Sequence, residues 1–265
     1  MSGMDASDPV LVAVGVTVEF GGIRALDGLS LEVGRGSITA LIGPNGAGKT
    51  TFFNCLTGIY RPKSGDLFFL PGDGRTIPLT LLSPDRVTQQ GIARTFQNIR
   101  LFNNLTVLEN VLIACHCRMK AGLLGALLRD SRTMREEREM EEYSFALLDR
   151  YGLGGQVNEL AKNLPYGEQR RLEIVRALAT RPKLLLLDEP AAGLNDRETE
   201  DLAGLIRLIR DELELSVLLI EHDMGLVMGV SERIHVMDYG KPIAEGTPEE
   251  IQRDPEVIRA YLGEG

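Results

Sequence analysis

The 265-residue sequence has little of what would mark a secreted, membrane-spanning or nucleic-acid-binding chain. Its three cysteines, Cys55, Cys115 and Cys117, are an odd and small number, which favours a reducing compartment. No apolar run approaches the ~18 residues of a spanning helix, and no basic residue precedes an apolar run in the first ten residues, so we expect no secretory signal. Acidic side chains exceed basic ones by 38 to 29, which excludes a general nucleic-acid binder, because neutralising phosphates requires a basic surface.

Alternating strand and helix patterns fill most of the chain. Residues 10–36 predict a strand-rich opening with a turn at Gly21-Gly22. Short apolar runs at 37–42, 184–188 and 216–221 predict buried strands, and amphipathic or capped segments between them predict helices. Such alternation indicates an α/β fold with a parallel sheet covered by helices.

One region departs from that alternation. Between residues 98 and 163 the β-branched runs disappear, and Thr106 and Glu109 have the spacing of a capping box at the start of a helix. We therefore predict a helical subdomain at 98–163, inserted into a core made of residues 1–97 and 164–265. The charge run 135–142 within it predicts a solvated helix face.

A glycine-rich loop joins the predicted strand 37–42 to the predicted helix 49–56. Its sequence fits G-x-x-x-x-G-K-[ST], in which glycines let backbone N–H groups curve around phosphate oxygens and the lysine places a charge on the β- and γ-phosphates. The Thr50 hydroxyl is a candidate ligand for Mg²⁺. The loop predicts a nucleoside triphosphate site with these ATP-binding residues: Gly43, Pro44, Asn45, Gly46, Ala47, Gly48, Lys49, Thr50 and Thr51.

Two carboxylates and a histidine follow the later apolar strands. Asp188 ends the strand 184–188, where a carboxylate can hold Mg²⁺ beside Thr50, and Glu189 is placed to polarise an attacking water as a general base. His222 lies one residue beyond the strand 216–221, at the same predicted edge of the sheet. A lone histidine is more often structural than functional, so its spacing alone leaves both interpretations open.

In order and spacing, the motifs resemble those of the ATP-binding cassette (ABC) ATPases over almost the whole chain. Phe20 matches the aromatic residue that stacks on adenine, and Gln97 matches the glutamine that contacts Mg²⁺ and the attacking water. Residues 164–174 occupy the signature position, 191–195 match the loop that crosses a dimer interface, and His222 matches the switch histidine, a γ-phosphate ligand. The resemblance implies a P-loop NTPase fold: an ATPase core with a parallel sheet, an N-terminal antiparallel β subdomain and an inserted helical subdomain.

Two motifs depart from the family pattern. The signature usually reads LSGGQ, whereas Pro165, Tyr166 and Glu168 replace its serine, first glycine and glutamine. Proline has neither an N–H nor a hydroxyl, so the usual contact through residue 165 cannot form. The helix predicted at 169–180 would still offer N–H groups to a phosphate. Asn195 stands where the interface loop commonly has aspartate.

The resemblance implies a head-to-tail pair of cassettes, a homodimer or a heterodimer with a homologous ATPase. Each ATP would then contact the opposite subunit through the signature residues Tyr166, Gly167, Glu168 and Gln169. Thr50, Gln97 and Asp188 would hold Mg²⁺, and Glu189, His222 and Gln97 would form the catalytic group. The cofactors implied are ATP and Mg²⁺, and no nucleic acid is expected.

Within the family, the signature segment 164–174, residues 188–195 and the closing segment 246–263 are similar to those of one subgroup. This subgroup is the ATPase of high-affinity branched-chain amino acid importers. This implies separate permease subunits, an indirect link to a substrate-binding protein, and a peripheral place on the cytoplasmic face of the inner membrane. The ATPase of a urea or amide importer and a soluble, non-transport cassette ATPase are the alternatives. A P-loop GTPase is excluded, because the guanine-reading N-K-x-D motif is absent.

Two further patterns in the helical region have structural explanations. Leu123, Leu124, Leu127 and Leu128 would contact a partner or the bilayer, but burial against neighbouring helices is the favoured interpretation. Cys115-His116-Cys117 suggests a metal site, yet sulfurs two residues apart on a helix point away from each other, so we expect no metal there.

Overall fold

The computed structural model describes residues 8–115 and 131–262. It divides the chain into two compact units, which we call the core unit (Met1–Arg94 with Lys183–Gly265) and the helical unit (Thr95–Pro182). In the described ranges, no helix combines the length and the apolar character needed to cross a membrane. The leucines at 123–128, His116 and Cys117 lie outside the described residues.

The strands belong to the core unit and form two sheets. The first is antiparallel in the order β2-β1-β4-β5, and the second has the order β10-β9-β3-β8-β7-β6. Their bounds are β1 (Pro9–Phe20), β2 (Ile23–Gly34), β3 (Ile38–Ile42), β4 (Ser64–Phe69), β5 (Ile77–Pro78), β6 (Ile92–Arg94), β7 (Leu184–Asp188), β8 (Ser216–Ile220), β9 (Arg233–Asp238) and β10 (Lys241–Gly246).

The first sheet confirms the predicted N-terminal β subdomain. Strands β1 and β2 pair antiparallel, and the turn between them falls on Gly21 and Gly22, whose φ angles of 54° and 87° favour glycine. In the second sheet β9, β3, β8, β7 and β6 run parallel, as predicted, but β10 pairs antiparallel with β9 and makes the sheet mixed. Sequence reasoning missed β6, β9 and β10.

The helices lie in both units. In chain order they are α1 (Lys49–Leu56), α2 (Pro84–Gln90), α3 (Val107–Cys115), α4 (Ser131–Arg150), α5 (Tyr166–Ala179), α6 (Asp196–Leu213), α7 (Met224–Val230), α8 (Pro248–Ile251) and α9 (Pro255–Leu262). Helix α5 begins three residues before the predicted position of 169, because Pro165 takes the N-cap position and fixes the start of the first turn.

Helix α1 packs between the two sheets of the core unit. Phe52 and Phe53 are fully buried in one apolar cluster with Leu41 of β3 and with residues of both sheets. The alternate β3 residues Ala40 and Ile42 face a second cluster that contains residues of α7, α8 and α9. Each buried phenylalanine contributes about 1.5–3 kcal/mol. Apolar packing on both faces of β3 therefore fixes the strand that leads into the glycine-rich loop.

The helical unit is built on α3, α4 and α5. Helix α3 packs against both of the others, and the Thr106–Glu109 capping box starts it as predicted. The unit reaches beyond the 98–163 range singled out from the sequence, because α5 packs on α3 and α4. Most side chains of the 135–142 charge run are exposed, as expected. Cys115 is buried beside Ser144, and burial raises the pKa of its thiol, which disfavours the thiolate that a metal would need.

Candidate nucleotide site

The glycine-rich loop, residues 43–51, has a backbone that only glycine permits at two positions. Gly43 and Gly48 have φ angles of 148° and 103°. A Cβ at Gly43 would lie 2.0 Å from the Met237 carbonyl oxygen, and one at Gly48 would lie 2.4 Å from that of Ala25. The tight approach of neighbouring strands therefore fixes the curve of this loop, with the first turn of α1 following directly.

Lys49 lies inside that curve and is 5% exposed. Its Nζ donates hydrogen bonds to the carbonyl oxygens of Gly43 at 2.7 Å and Pro44 at 3.0 Å. Burial lowers the pKa of Lys49, while the negative charges of Glu189 and Asp188 act in the opposite direction. The ammonium group is thus held by main-chain oxygens of the loop and faces two carboxylates.

Strand register brings the predicted catalytic residues to one edge of the sheet. Leu41 of β3 and Asp188 of β7 both pair with Ile220 of β8, which lies between them. Because these strands are parallel, the residues that follow each one emerge at the same edge. The glycine-rich loop, Glu189 and His222 are therefore brought together, as the sequence predicts.

Asp188 is buried at the end of β7, and its Oδ2 accepts a hydrogen bond from Arg94 Nη2 at 2.7 Å. Thr50, the second residue of α1, is exposed. A hydroxyl and a carboxylate are the oxygen ligands that Mg²⁺ prefers. The chemistry of this pair therefore fits the predicted magnesium site.

Glu189 and His222 face each other directly. Glu189 Oε1 lies 3.0 Å from His222 Nε2, and the glutamate side chain is 17% exposed. Glu189 has a φ of 47°, a left-handed conformation that costs a non-glycine residue free energy. Its N–H donates to the Ile220 carbonyl oxygen at 2.8 Å, which ties it to the end of β8.

Glu221 is a site residue that sequence reasoning missed. It lies between Ile220 and His222, is 3% exposed, and accepts hydrogen bonds from the N–H groups of Ala191, His222 and Asp223. Burial raises the pKa of Glu221, and these three N–H groups offset only part of that rise. The sequence did contain a signal for Glu221, because a carboxylate that follows an apolar strand is expected to be buried. A buried charge requires hydrogen-bond partners, which marks such a residue as a candidate for the site.

Phe20 and Asn195 lie at the ends of their elements. Phe20 ends β1, is about half exposed, and meets Tyr60 edge-on with ring centroids 5.1 Å apart. Asn195 caps α6: its side chain accepts from the Glu198 N–H, and Glu198 accepts from the Asn195 N–H, each at 3.0 Å. Asn195 thus performs the capping task that an aspartate would perform.

The remaining predicted residues belong to the helical unit. Gln97 is exposed, and Tyr166, Gly167, Glu168 and Gln169 form the first turn of α5. The Glu168 carboxylate accepts hydrogen bonds from Gln156 Nε2, at 3.0 Å to one oxygen and 2.9 Å to the other. Their placement toward the nucleotide stays a prediction.

Buried Arg170 connects two of these segments. Its guanidinium donates to the carbonyl oxygens of Phe96 and Gln97, each at 2.8 Å, and to the Tyr166 hydroxyl at 3.3 Å. It also pairs with buried Glu173, which accepts from the Arg100 N–H at 3.2 Å. The main chain around Gln97 is therefore held by the helix that starts at Tyr166.

A glycine-rich loop between a strand and a helix, with carboxylates at the same edge of a parallel sheet, defines a P-loop nucleoside triphosphatase. Residues 26–192 match the family model described as ABC transporter, and residues 241–265 match that described as branched-chain amino acid ATP-binding cassette transporter. The chain belongs to the ABC transporter family, as an ATP-binding cassette.

Curated relatives extend this match over nearly the whole chain. The high-affinity branched-chain amino acid transport ATP-binding proteins LivG of Salmonella typhimurium and BraF of Pseudomonas aeruginosa are each 48% identical over 97% of this chain and 99% of their own. An Archaeoglobus fulgidus protein, called a probable branched-chain amino acid transport ATP-binding protein, is 38% identical over 92% of this chain and 91% of its own.

Solved structures agree with the fold. The ADP conformation of an ATP-binding cassette of an ABC transporter superposes with a TM-score of 0.83 at 32% identity, covering 97% of this chain and 100% of that one. A nucleotide-free ATP-binding cassette gives a TM-score of 0.81 at the same identity and coverage.

Proposed function

We propose that this chain is the ATP-hydrolysing subunit of an importer of branched-chain amino acids, working with separate membrane permeases. The observation that supports this best is the 48% identity to LivG of Salmonella typhimurium across 97% of the chain. The C-terminal match at 241–265 points to the same transporter group. We place the chain at the cytoplasmic face of the inner membrane, as a peripheral subunit.

Nucleotide binding is assigned to the core unit. The backbone N–H groups of residues 43–51 and the Lys49 ammonium would hold the phosphates of ATP. Phe20, already fixed edge-on against Tyr60, would stack on adenine. Thr50 and Asp188, with Gln97, would hold Mg²⁺, which when bound neutralises charge on the β- and γ-phosphates.

Hydrolysis is assigned to Glu189 and His222. Glu189 would accept a proton from the attacking water, whose oxygen bonds to the γ-phosphorus while the bond to the bridging oxygen breaks, giving ADP and phosphate. His222 would hold Glu189 in position through the 3.0 Å contact and stabilise the γ-phosphate oxygens. Lys49 would neutralise the charge that develops toward the leaving group.

Two cassettes would enclose two nucleotides. In this arrangement the first turn of α5, Tyr166 to Gln169, offers its N–H groups to the ATP of the opposite subunit. Binding of ATP would then close the pair, and hydrolysis with product release would reopen it. A second copy of this chain and a homologous cassette both fit this role.

Reconstitution with permeases tests the proposal. The chain and two permeases encoded by neighbouring genes are reconstituted in proteoliposomes with internal MgATP. The matching binding protein is added outside, and uptake of labelled leucine and of labelled urea is measured. We expect leucine uptake, and none with Glu189→Gln in place of the native chain. Urea uptake alone would favour the amide-type importer, and ATPase activity without permease association would favour a soluble cassette.

A further inference from the structure

The carboxylate of Glu221 joins the two segments that bear Glu189 and His222. One oxygen, Oε1, accepts from the Ala191 N–H at 2.6 Å. The other, Oε2, accepts from the N–H groups of His222 at 2.9 Å and Asp223 at 3.3 Å. A single buried side chain therefore anchors the turn after β7 with one oxygen and the turn after β8 with the other.

The turn after β7 needs such an anchor. Glu189 has a left-handed backbone, and the Ala192 N–H donates back to the Glu189 carbonyl oxygen at 3.2 Å. A conformation of this kind persists only where the surrounding structure holds it. Glu221 accepts a hydrogen bond from the Ala191 N–H, in the middle of this turn. The direction of the Glu189 side chain therefore depends on Glu221.

The turn after β8 is held in the same way. The N–H of His222 points at Glu221, and Asp223, the next donor, caps α7 by accepting from the Leu226 N–H at 3.0 Å. The imidazole is left projecting toward Glu189. The His222 backbone is thus fixed between a strand end and a helix start.

We infer that Glu221 is a positioning residue for ATP hydrolysis, which sets the general base Glu189 and the histidine His222 against each other without touching the substrate. The inference rests on the proposed function. The anionic form suits the task, because a carboxylate has acceptor sites for all three N–H groups, whereas an amide replaces one oxygen with a donor.

The substitution Glu221→Gln tests this with little change of shape. The variant keeps one oxygen but turns an NH₂ group toward a backbone N–H, so that one of the two turns loses its anchor. We expect kcat for MgATP to fall by roughly 10- to 100-fold, as an ångström-scale misplacement of catalytic groups predicts, with KM changed less than about 2-fold. A fall in kcat below about 2-fold would overturn the inference.

Glu250→Gln is the matched control. Glu250 also accepts a hydrogen bond from a backbone N–H, that of Thr247 at 2.8 Å, but it lies in the capping box of α8. Its steady-state kinetics should equal those of the native chain. Equal losses of kcat in both glutamine variants would contradict a specific role for Glu221.

A double variant separates positioning from general destabilisation. If Glu221 acts through Glu189 and His222, the loss of kcat in Glu221→Gln combined with His222→Ala should be smaller than the product of the two single losses. Losses that multiply in the double variant would instead indicate an independent effect and overturn the inference.

Hydrogen exchange provides a readout that needs no activity. In the native chain the Ala191 and His222 amides should exchange slowly, and Glu221→Gln should accelerate exchange in peptides covering 189–195 and 221–226 but not in α5. Unchanged exchange in both peptides would overturn the inference. If the native chain shows this exchange pattern but does not hydrolyse MgATP, the proposed function is wrong. The hydrogen bonds by which Glu221 holds the two turns would still be established.

Discussion

Arg94 holds the carboxylate of Asp188 through a hydrogen bond of 2.7 Å between Nη2 and Oδ2, and both side chains are almost wholly buried. The other end of the guanidinium donates to Asn54 Oδ1 at 2.8 Å and to Thr57 Oγ1 at 3.2 Å, at the C-terminal part of α1. The predicted magnesium ligand is therefore oriented by a cation that is itself fixed to the helix following the glycine-rich loop.

Arg94→Ala should lower the free energy of unfolding by about 3–5 kcal/mol, because it leaves the Asp188 charge buried without its partner. Denaturant titration of the isolated chain measures this. The exposed Arg61→Ala, in the same unit, should change stability by less than about 0.5 kcal/mol. Equal effects of the two substitutions would show that the buried pair does not stabilise the core unit.

Glu189→Gln should cut ATP turnover by about 10²-fold or more, because an amide cannot accept the proton of the attacking water. Binding of MgATP, measured by calorimetry, should stay intact. Near-native hydrolysis by this variant would remove Glu189 from its assigned role as general base.

Lys49→Ala should weaken nucleotide binding itself. The loss of a charged contact to phosphate costs about 1.5–3 kcal/mol, a roughly 10- to 150-fold rise in the Kd for MgATP. Lys183→Ala, which removes an exposed lysine of the same unit, is the matched control and should leave the Kd unchanged. Affinity that survives the loss of Lys49 would mean that phosphates are held elsewhere.

Arg170→Met should loosen the main chain around Gln97, since the carbonyl oxygens of Phe96 and Gln97 lose their donor. It also leaves Glu173 buried and charged, a loss of about 3–5 kcal/mol in unfolding free energy. Hydrogen exchange of residues 95–102 should accelerate. Adding Glu173→Leu should restore part of the stability but not the slow exchange, and full recovery of both would count against this account.

Because His235 is buried, we expect the free energy of unfolding to fall in mild acid. It is 3% exposed in β9, with Nε2 3.0 Å from the Glu32 carbonyl oxygen, and burial lowers its pKa below the ordinary 6.5, against the opposing charge of Glu245. The unfolded chain therefore binds a proton that the folded chain resists, and stability falls as the pH drops below about 6.5. The melting temperature should fall less steeply with pH in His235→Gln, and identical slopes would exclude His235 as the cause.

Much of the core unit follows from local pattern. The buried strands at 184–188 and 216–221 have apolar interiors, Leu184–Leu187 and Val217–Ile220, and Ser83-Pro84 with Gly91 mark both ends of α2. The same strand-to-loop logic predicts that Glu189, His222 and the glycine-rich loop share one sheet edge, which the register confirms.

Other features depend on tertiary contacts that no local pattern contains. Strands β9 and β10 alternate poorly, and β6 has three residues, so their pairing is decided by neighbours. Glu221 and Arg94 are charged residues with partners far along the chain, Ala191 at 30 positions and Asp188 at 94, so the sequence does not identify these contacts. The burial of Glu221 and Arg94 and their hydrogen bonds are visible only in the folded chain.

The position at which α5 begins determines which mutations should disturb the signature residues, Tyr166 to Gln169. Pro165 is its N-cap, and a proline side chain has no group that could accept a hydrogen bond from the first turn. The N–H groups of the first turn are available to a docked anion, whereas the Glu168 carboxylate is engaged with Gln156. Side-chain truncation at Tyr166 or Gln169 should therefore be tolerated better than any change that shifts where the first turn begins.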